Sequence, residues 1–156
     1  MSEGEAKMEQ KTMVYLCVGN ENWKEFDLAD AKALGERGIL MGKGVKIGNG
    51  TKIGNFAKIY SGTEIGHGVY IGKGAEIGHD AVIGYGVYIG QDAKIGYGAK
   101  IGNDAKIGNG AKIGNDAYIK DNADVGDEAR IGYGATIGNI TGVPAGFRVP
   151  ARTCAG

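Results

Sequence analysis

From Met41 to Val149 the chain returns an aliphatic residue at every sixth position: Met41, Ile47, Ile53, Ile59, Ile65 and so on to Ile119, then Val125, Ile131, Ile137, Val143 and Val149. Counting each aliphatic residue as position one, position two is Gly apart from Tyr60, Lys120, Pro144 and the terminal Pro150. Positions three and four hold turn formers, as in Asn49-Gly50, Lys73-Gly74, His79-Asp80, Asn103-Asp104 and Asn109-Gly110. Position five is small (Thr51, Ala57, Thr63, Val69, Ala75), and position six is mostly Lys, Glu or Tyr. Position five and the next position one are two residues apart, so they share one face of an extended strand and the residue between them faces outward. A helix needs apolar residues at three-to-four spacing. A period of six with a turn in every unit predicts short parallel strands joined by corners, the layout of a β-solenoid.

The units Ile101-Gly-Asn-Asp-Ala-Lys106 and Ile107-Gly-Asn-Gly-Ala-Lys112 resemble the hexapeptide repeat of the left-handed parallel β-helix, the fold of the bacterial hexapeptide acyltransferase superfamily. The resemblance implies an all-β fold, left-handed, with three hexads to a triangular coil, so that residues 18 apart stack over about six coils. It also implies a homotrimer. Each coil then buries three aliphatic and three small side chains, and a fully buried Ile contributes roughly 1.5–3 kcal/mol. The open edge at each end of such a stack needs a cover.

Ahead of the repeat, Met1 to Lys11 is a polar tail, Met13 to Val18 is a short apolar strand, and Gly19-Asn20 is a turn. Residues 27–35 read as a short helix with Asp27 as N-cap, Gly35 as stop and Leu28, Ala31 and Leu34 on its apolar side. We expect this segment to form a strand/helix cap, with Trp23 and Phe26 covering the first exposed isoleucines. The chain thus divides into a tail and cap (1–40), the hexapeptide-repeat β-helix (41–149) and a C-terminal tail (150–156).

Composition changes this picture little. Gly is abundant at 31 residues but periodic, which excludes both linker and collagen. A formal net charge of zero argues against nucleic acid or an anionic membrane as partner. Cys17 and Cys154 match no metal or redox spacing and read as unpaired thiols of a reducing cytoplasm. The polar, acidic N-terminus has no signal-peptide pattern and no apolar run spans a membrane. Localisation is expected to be cytoplasmic, or within a phage or cell-surface assembly.

Stacking by coil sorts the exterior. The first face presents Lys46, Glu64, Val82, Lys100, Tyr118 and Thr136; the second Lys52, Tyr70, Tyr88, Lys106, Asp124 and Gly142; the third Lys58, Glu76, Lys94, Lys112, Arg130 and Arg148. The basic third face reads as solvated, with Asp80, Asp92, Asp116 and Glu128 at its corners. His67, Tyr70, Tyr85 and Tyr88 are expected around one edge, where grouped aromatics suit contact with another copy of the chain.

Glu76-Ile-Gly-His79-Asp80-Ala-Val-Ile-Gly84 looks like the hexad around the catalytic histidine of the sugar O- and N-acetyltransferases of this superfamily. The resemblance implies His79 as general base, with an acyl-CoA lying along the prism between subunits; His67, in a similar Ile-Gly-His context, is the second candidate. Zinc hydration chemistry, known for γ-class carbonic anhydrases of this fold, needs three distinct histidine positions, whereas the chain holds two histidines on different corners. No metal is therefore expected. Ice binding would need flat threonine ladders, and only Thr136 fits. The repeat runs without the inserted loop or added domain that acyltransferases of this fold usually carry. The residues accordingly favour a non-catalytic structural or interaction solenoid with no cofactor, a scaffold or spacer rather than an enzyme. An acetyl-CoA-dependent transferase using a histidine base at a subunit interface is the alternative.

Overall fold

A computed structural model of the chain describes residues 11–20 and 22–152 and the backbone of 154–155. The polar N-terminal tail over 1–10 and the Cys154 side chain lie outside the described residues. An N-terminal hairpin, β1 (Met13–Cys17) and β2 (Trp23–Asp27), and a one-and-a-half-turn helix, α1 (Ala31–Glu36), precede the solenoid. From there very short strands follow at each hexad, from β3 (Leu40–Met41) and β4 (Lys46–Ile47) to β21 (Arg148–Val149) and β22 (Cys154–Ala155). They form three parallel sheets, a β-solenoid of about six coils. The first sheet has seven strands from β4 to β22. The second has eight, from β2 and β1 through β5 (Thr51–Ile53) to β20 (Gly142–Val143). The third has seven, from β3 to β21.

Register follows the expected stack. Val82 pairs with Glu64 below and Lys100 above, Tyr88 with Tyr70 and Lys106, and Lys94 with Glu76 and Lys112. The position-one aliphatics and position-five residues fill the triangular interior: Ile53, Ile71, Ile77, Ile89, Ile107 and Ile119 have no measurable exposure, nor do Ala75, Ala93 and Ala111 between them.

The glycine at position two has a packing cause. A Cβ there would meet backbone of the next coil: 2.6 Å from the His67 amide nitrogen at Gly48, 2.7 Å from that of Tyr85 at Gly66, and 2.6 Å from that of Gln91 at Gly72. Position four is different. There the chain takes a left-handed conformation at every corner, with φ of 80° at Gly50, 59° at Asp80, 60° at Asp92 and Asp104, and 62° at Asn122. Gly, Asp and Asn, which tolerate it, fill most of these positions, with Phe56, Glu128, Ile140 and Arg152 the exceptions.

The cap departs from expectation in detail. β1 adds a rung to the second sheet by pairing parallel with β5 (Val14 to Thr51, Leu16 to Ile53), and β2 returns antiparallel along its outer edge. Val14 and Leu16 are buried and Phe26 packs on the core beside them. Trp23 instead faces outward with Cys17 and lies on Tyr70, so it covers no isoleucine. The helix begins at Ala31, not at Asp27. Asp30 caps it by accepting the Ala33 amide at 2.9 Å, while Asp27 ends β2 and accepts the Ala29 amide at 2.8 Å in a tight turn. Ala33, Leu34 and Ile39 are buried, and Ala31 is exposed. Arg37 ties the cap together by donating to the Cys17 carbonyl (2.8 Å) and the Ala33 carbonyl (2.7 Å) while lying 4.7 Å from the Phe26 ring centre.

If close approach of the coils is what demands glycine at position two, Gly72→Ala will force a local separation and lower stability by about 1–3 kcal/mol, the usual cost of overpacking. The denaturant midpoint measures this directly; an unchanged midpoint would mean the coils can part freely.

Candidate active site

The corners carry the polar chemistry, and most of it has a structural purpose. The amide of a position-three residue points along the solenoid axis, outside the strand ladder. In several coils a position-three side chain one coil on accepts it. Asn103 Oδ1 accepts from the Tyr85 amide at 3.0 Å, Asn109 from Gln91 at 2.8 Å, Asn115 from Tyr97 at 2.9 Å and Asp127 from Asn109 at 2.8 Å. His67 belongs to this series, its Nδ1 accepting the Asn49 amide at 3.0 Å. Nδ1 is thereby committed to the backbone.

His79 occupies the same position on another corner and is held differently. It is exposed, and among the described residues no hydrogen bond reaches either ring nitrogen. Aromatic rings bracket it from both sides along the axis. Tyr60 of the preceding coil lies with its ring centre 5.1 Å away, tilted by 40°, and Tyr97 of the following coil lies at 6.5 Å, tilted by 53°. Asp80 does not pair with the ring. Its carboxylate lies over Gly62 one coil below, as those of Asp92, Asp104 and Asp116 lie over Gly74, Gly86 and Gly98. The position-four aspartate is thus explained by the left-handed corner.

Backbone on both sides of His79 is tied into the stack. The His79 carbonyl accepts from the Gly98 amide at 2.9 Å, and the Asp80 amide donates to the Ser61 carbonyl at 3.0 Å. Thr63, fully buried, brings its hydroxyl to 2.7 Å from the Tyr60 carbonyl and 2.9 Å from that of Gly78, the residue before His79.

The aromatic edge divides between a face and a corner. Tyr70 and Tyr88 stack on the second face, ring centres 4.8 Å apart and 5° from parallel, and Trp23 adds an edge contact to Tyr70 at 5.7 Å. Lys52 Nζ lies 5.6 Å from the Trp23 ring centre. Tyr85 and His67 occupy the adjoining corner one coil apart, joined through the Gly86 amide and the His67 carbonyl at 3.0 Å; Tyr85 is 55% exposed. On the third face Lys94, Lys112, Arg130 and Arg148 stand in register on successive coils. The last three line a groove of about 430 Å³ with Ile113, Ile131 and Val149 at its floor. Among the described residues none of these cations makes an ion pair. No cluster of three metal-ligating side chains occurs among the described residues, and no helix among them is long and apolar enough to cross a membrane.

A triangular solenoid of glycine-cornered hexads with histidines at its turns defines a class, and comparison with known proteins agrees. Residues 44–79 match the family described as bacterial transferase hexapeptide (six repeats), and residues 65–142, half of the chain, match the GMPPB C-terminal domain. The chain belongs to the hexapeptide-repeat superfamily. Among solved structures it is similar to PerB from Caulobacter crescentus in complex with CoA and GDP-perosamine, at 25% identity and a TM-score of 0.65, over 68% of this chain and 51% of that one. It is also similar to a histidine-to-alanine mutant of GDP-perosamine N-acetyl transferase from the same organism, with CoA and GDP-perosamine, at 18% identity and a TM-score of 0.67, over 71% and 53% of the two chains. A hexapeptide transferase family protein from Anaplasma phagocytophilum aligns at 19% identity and a TM-score of 0.60 over 88% and 78%. The chain spans about half the length of the two Caulobacter proteins. No curated protein matches it.

These likenesses overturn the expectation of a non-catalytic scaffold. The folds it resembles include acetyltransferases with CoA bound, which favours the transferase alternative. The physical reason is visible at His79: turn residues and one exception at position two suffice to build a polar, aromatic-walled corner, so uninterrupted coils do not argue against catalysis. Tyr60 is the ring neighbour of His79 absent from the sequence reading, and its signal is that very exception.

Because His67 acts as a ladder acceptor, His67→Asn will keep the Asn49 amide partnered and leave stability near wild type. His67→Ala will strand that amide and cost about 1 kcal/mol. Thermal unfolding of the two variants side by side checks the assignment, and equal loss in both would refute it.

Proposed function

We propose that the chain is an acyl-CoA-dependent acyltransferase, with acetyl-CoA as donor, an amine or hydroxyl as acceptor and His79 as the general base. The observation that carries this reading is the state of His79, an exposed imidazole between two aromatic rings with neither nitrogen engaged. A free imidazole nitrogen takes the proton from the acceptor N–H or O–H as the heteroatom attacks the thioester carbonyl. The C–S bond then breaks, the acyl group stays on the acceptor, and the departing CoA sulfur receives the proton that the imidazole holds. Protons and electrons balance with no further reactant. His67, the second candidate, has its Nδ1 committed to a backbone amide.

Two features support a CoA donor. PerB, similar to this chain at 25% identity, is described in complex with CoA. In addition, the unpaired Lys94, Lys112, Arg130 and Arg148 begin one coil beyond Glu76, beside the His79 corner, and continue along the axis for about 14 Å at strand spacing. That row suits the phosphates of CoA with the thioester directed toward His79. The acceptor is an amino or hydroxyl group on a small sugar-like molecule, by analogy with the GDP-perosamine complexes.

The active form in this reading is a homotrimer. One copy leaves His79 on an open corner, and acyl transfer gains from a second wall that excludes water and fixes the acceptor. The Tyr70–Tyr88–Trp23 face with neighbouring His67 and Tyr85 is the surface we assign to contact between copies. A cytoplasmic setting suits the free Cys17 thiol.

Calorimetry with acetyl-CoA, followed by a thiol-release assay over a panel of amino sugars, tests the proposal. Micromolar binding is expected, with His79→Ala retaining it while kcat falls by about 10²–10⁴-fold, the range for loss of a general base. His67→Ala should stay within a few-fold of wild type. No heat with millimolar acetyl-CoA, from a folded oligomer, would overturn the acetyltransferase reading.

A further inference from the structure

Tyr60 is one of four residues that replace the position-two glycine, and it does so at the coil that faces His79. Position-two glycines lie against the residue nineteen places on: Gly48 against His67, Gly66 against Tyr85, Gly72 against Gln91. By the same relation Tyr60 lies against His79. Any side chain at this position must go where the histidine is, and the ring contact of 5.1 Å is the result. The backbone has not given way to admit it, since the Tyr60 amide still donates to the Ile77 carbonyl at 2.9 Å, matching the 2.9 Å and 2.8 Å of Gly66 and Gly72 to Ile83 and Ile89.

The surrounding unit differs from the alanine units in its buried threonine, which reaches the Gly78 carbonyl as Thr51 reaches that of Gly66 and which alone also reaches the carbonyl of its own position-two residue. In the alanine units the position-two carbonyl accepts the position-five amide, as Gly72 does from Ala75 at 3.2 Å and Gly90 from Ala93 at 3.3 Å. At Tyr60 that carbonyl has the hydroxyl of Thr63 at 2.7 Å, and the same hydroxyl lies 2.9 Å from the Gly78 carbonyl. One buried side chain therefore adjoins the backbone of Tyr60 and the backbone immediately before His79. Burying a hydroxyl in the apolar prism is costly unless it is partnered, and here its partners are the two segments whose relative position sets the ring contact.

A general base must present one nitrogen along a fixed direction, and some group must hold the ring. A carboxylate commonly does so, but Asp80 is turned onto Gly62 and the other aspartates repeat that arrangement without any histidine. The contacts available to the His79 ring are aromatic. Resting on the acyltransferase reading above, we infer that Tyr60 is a positioning residue: its ring, locked through Thr63, fixes the orientation of the His79 imidazole for proton transfer. It touches neither donor nor acceptor.

The decisive variant restores the residue that the repeat prefers. Tyr60→Gly should fold at least as well as wild type, with an unchanged or raised melting temperature. The His79 ring, one of only two histidines, can be followed by its carbon-bound proton resonances. We expect these to lose the ring-current displacement imposed by Tyr60 in Tyr60→Gly and to keep it in Tyr60→Phe. With the ring free to turn, kcat should fall by about ten- to a hundredfold, the KM for acetyl-CoA should hold, and Tyr60→Phe should restore the rate.

His79 resonances that are the same in Tyr60→Gly and wild type would overturn the inference, whatever the activity. So would a shifted resonance with kcat unchanged in Tyr60→Gly while His79→Ala is inactive. If His79→Ala itself retains full activity, it is the general-base reading that fails, and the positioning role fails with it; the resonances would still report whether Tyr60 orients the ring.

Discussion

Close stacking of one coil on the next governs this molecule. For the amide of one coil to meet the carbonyl of the next at 2.6–3.4 Å along the prism, backbones must approach within strand spacing at the corners as well as on the flat faces. The flats accept this easily. At the corner the chain turns while still in contact with its neighbour, so position two favours the residue without a Cβ, and position four takes the left-handed conformation that completes the turn. Position five must be small because three side chains from each coil converge on one narrow interior. Glycine, aspartate or asparagine, alanine and isoleucine thus follow from one distance.

That dependence explains why the architecture was legible. A period of six read from Met41 to Val149 is enough to sort every residue by face, and the observed register places Tyr88 over Tyr70 and Lys112 over Lys94 as the stacking implies. The cap was less legible because no single constraint acts on it. Asp27 and Asp30 can each cap a helix, and the choice was made by tertiary pairing: residues 23–27 form an edge strand against Met13–Cys17, which consumes Asp27 and delays the helix to Ala31. Lys24 and Glu25 gave that strand no apolar alternation, since it pairs on one side only.

At the candidate site the difficulty was of another kind. The two histidines stand in near-identical hexads, Ile65-Gly66-His67-Gly68 and Ile77-Gly78-His79-Asp80, so local sequence ranks them poorly. What separates them lies a full coil away. Below His67 is Asn49, whose amide needs an acceptor, and the imidazole supplies it. Below His79 the corner carries Tyr60 and Ser61, and the ring is left with aromatic neighbours. An 18-residue offset brings these groups together, so the distinction could be found only by reading the repeat for its exceptions at that offset.

In the proposed reading, regularity and catalysis are compatible because the base stands at an exposed corner rather than in the interior. The interior and position two are committed to holding coils together, and changes there are expensive. Outward position six carries few such duties, and corner position three needs an acceptor in several coils but takes Asn, Asp or His for it. A site assembled from such positions needs no inserted loop, only residues from adjacent coils that point the same way. Tyr60 is the informative exception because it takes a committed position. The chain gives up glycine at position two at Lys120 as well, but at Tyr60 the side chain that replaces it meets a histidine ring. Departures of this kind, against an otherwise consistent pattern, are where a functional demand is expected to outweigh the demands of folding.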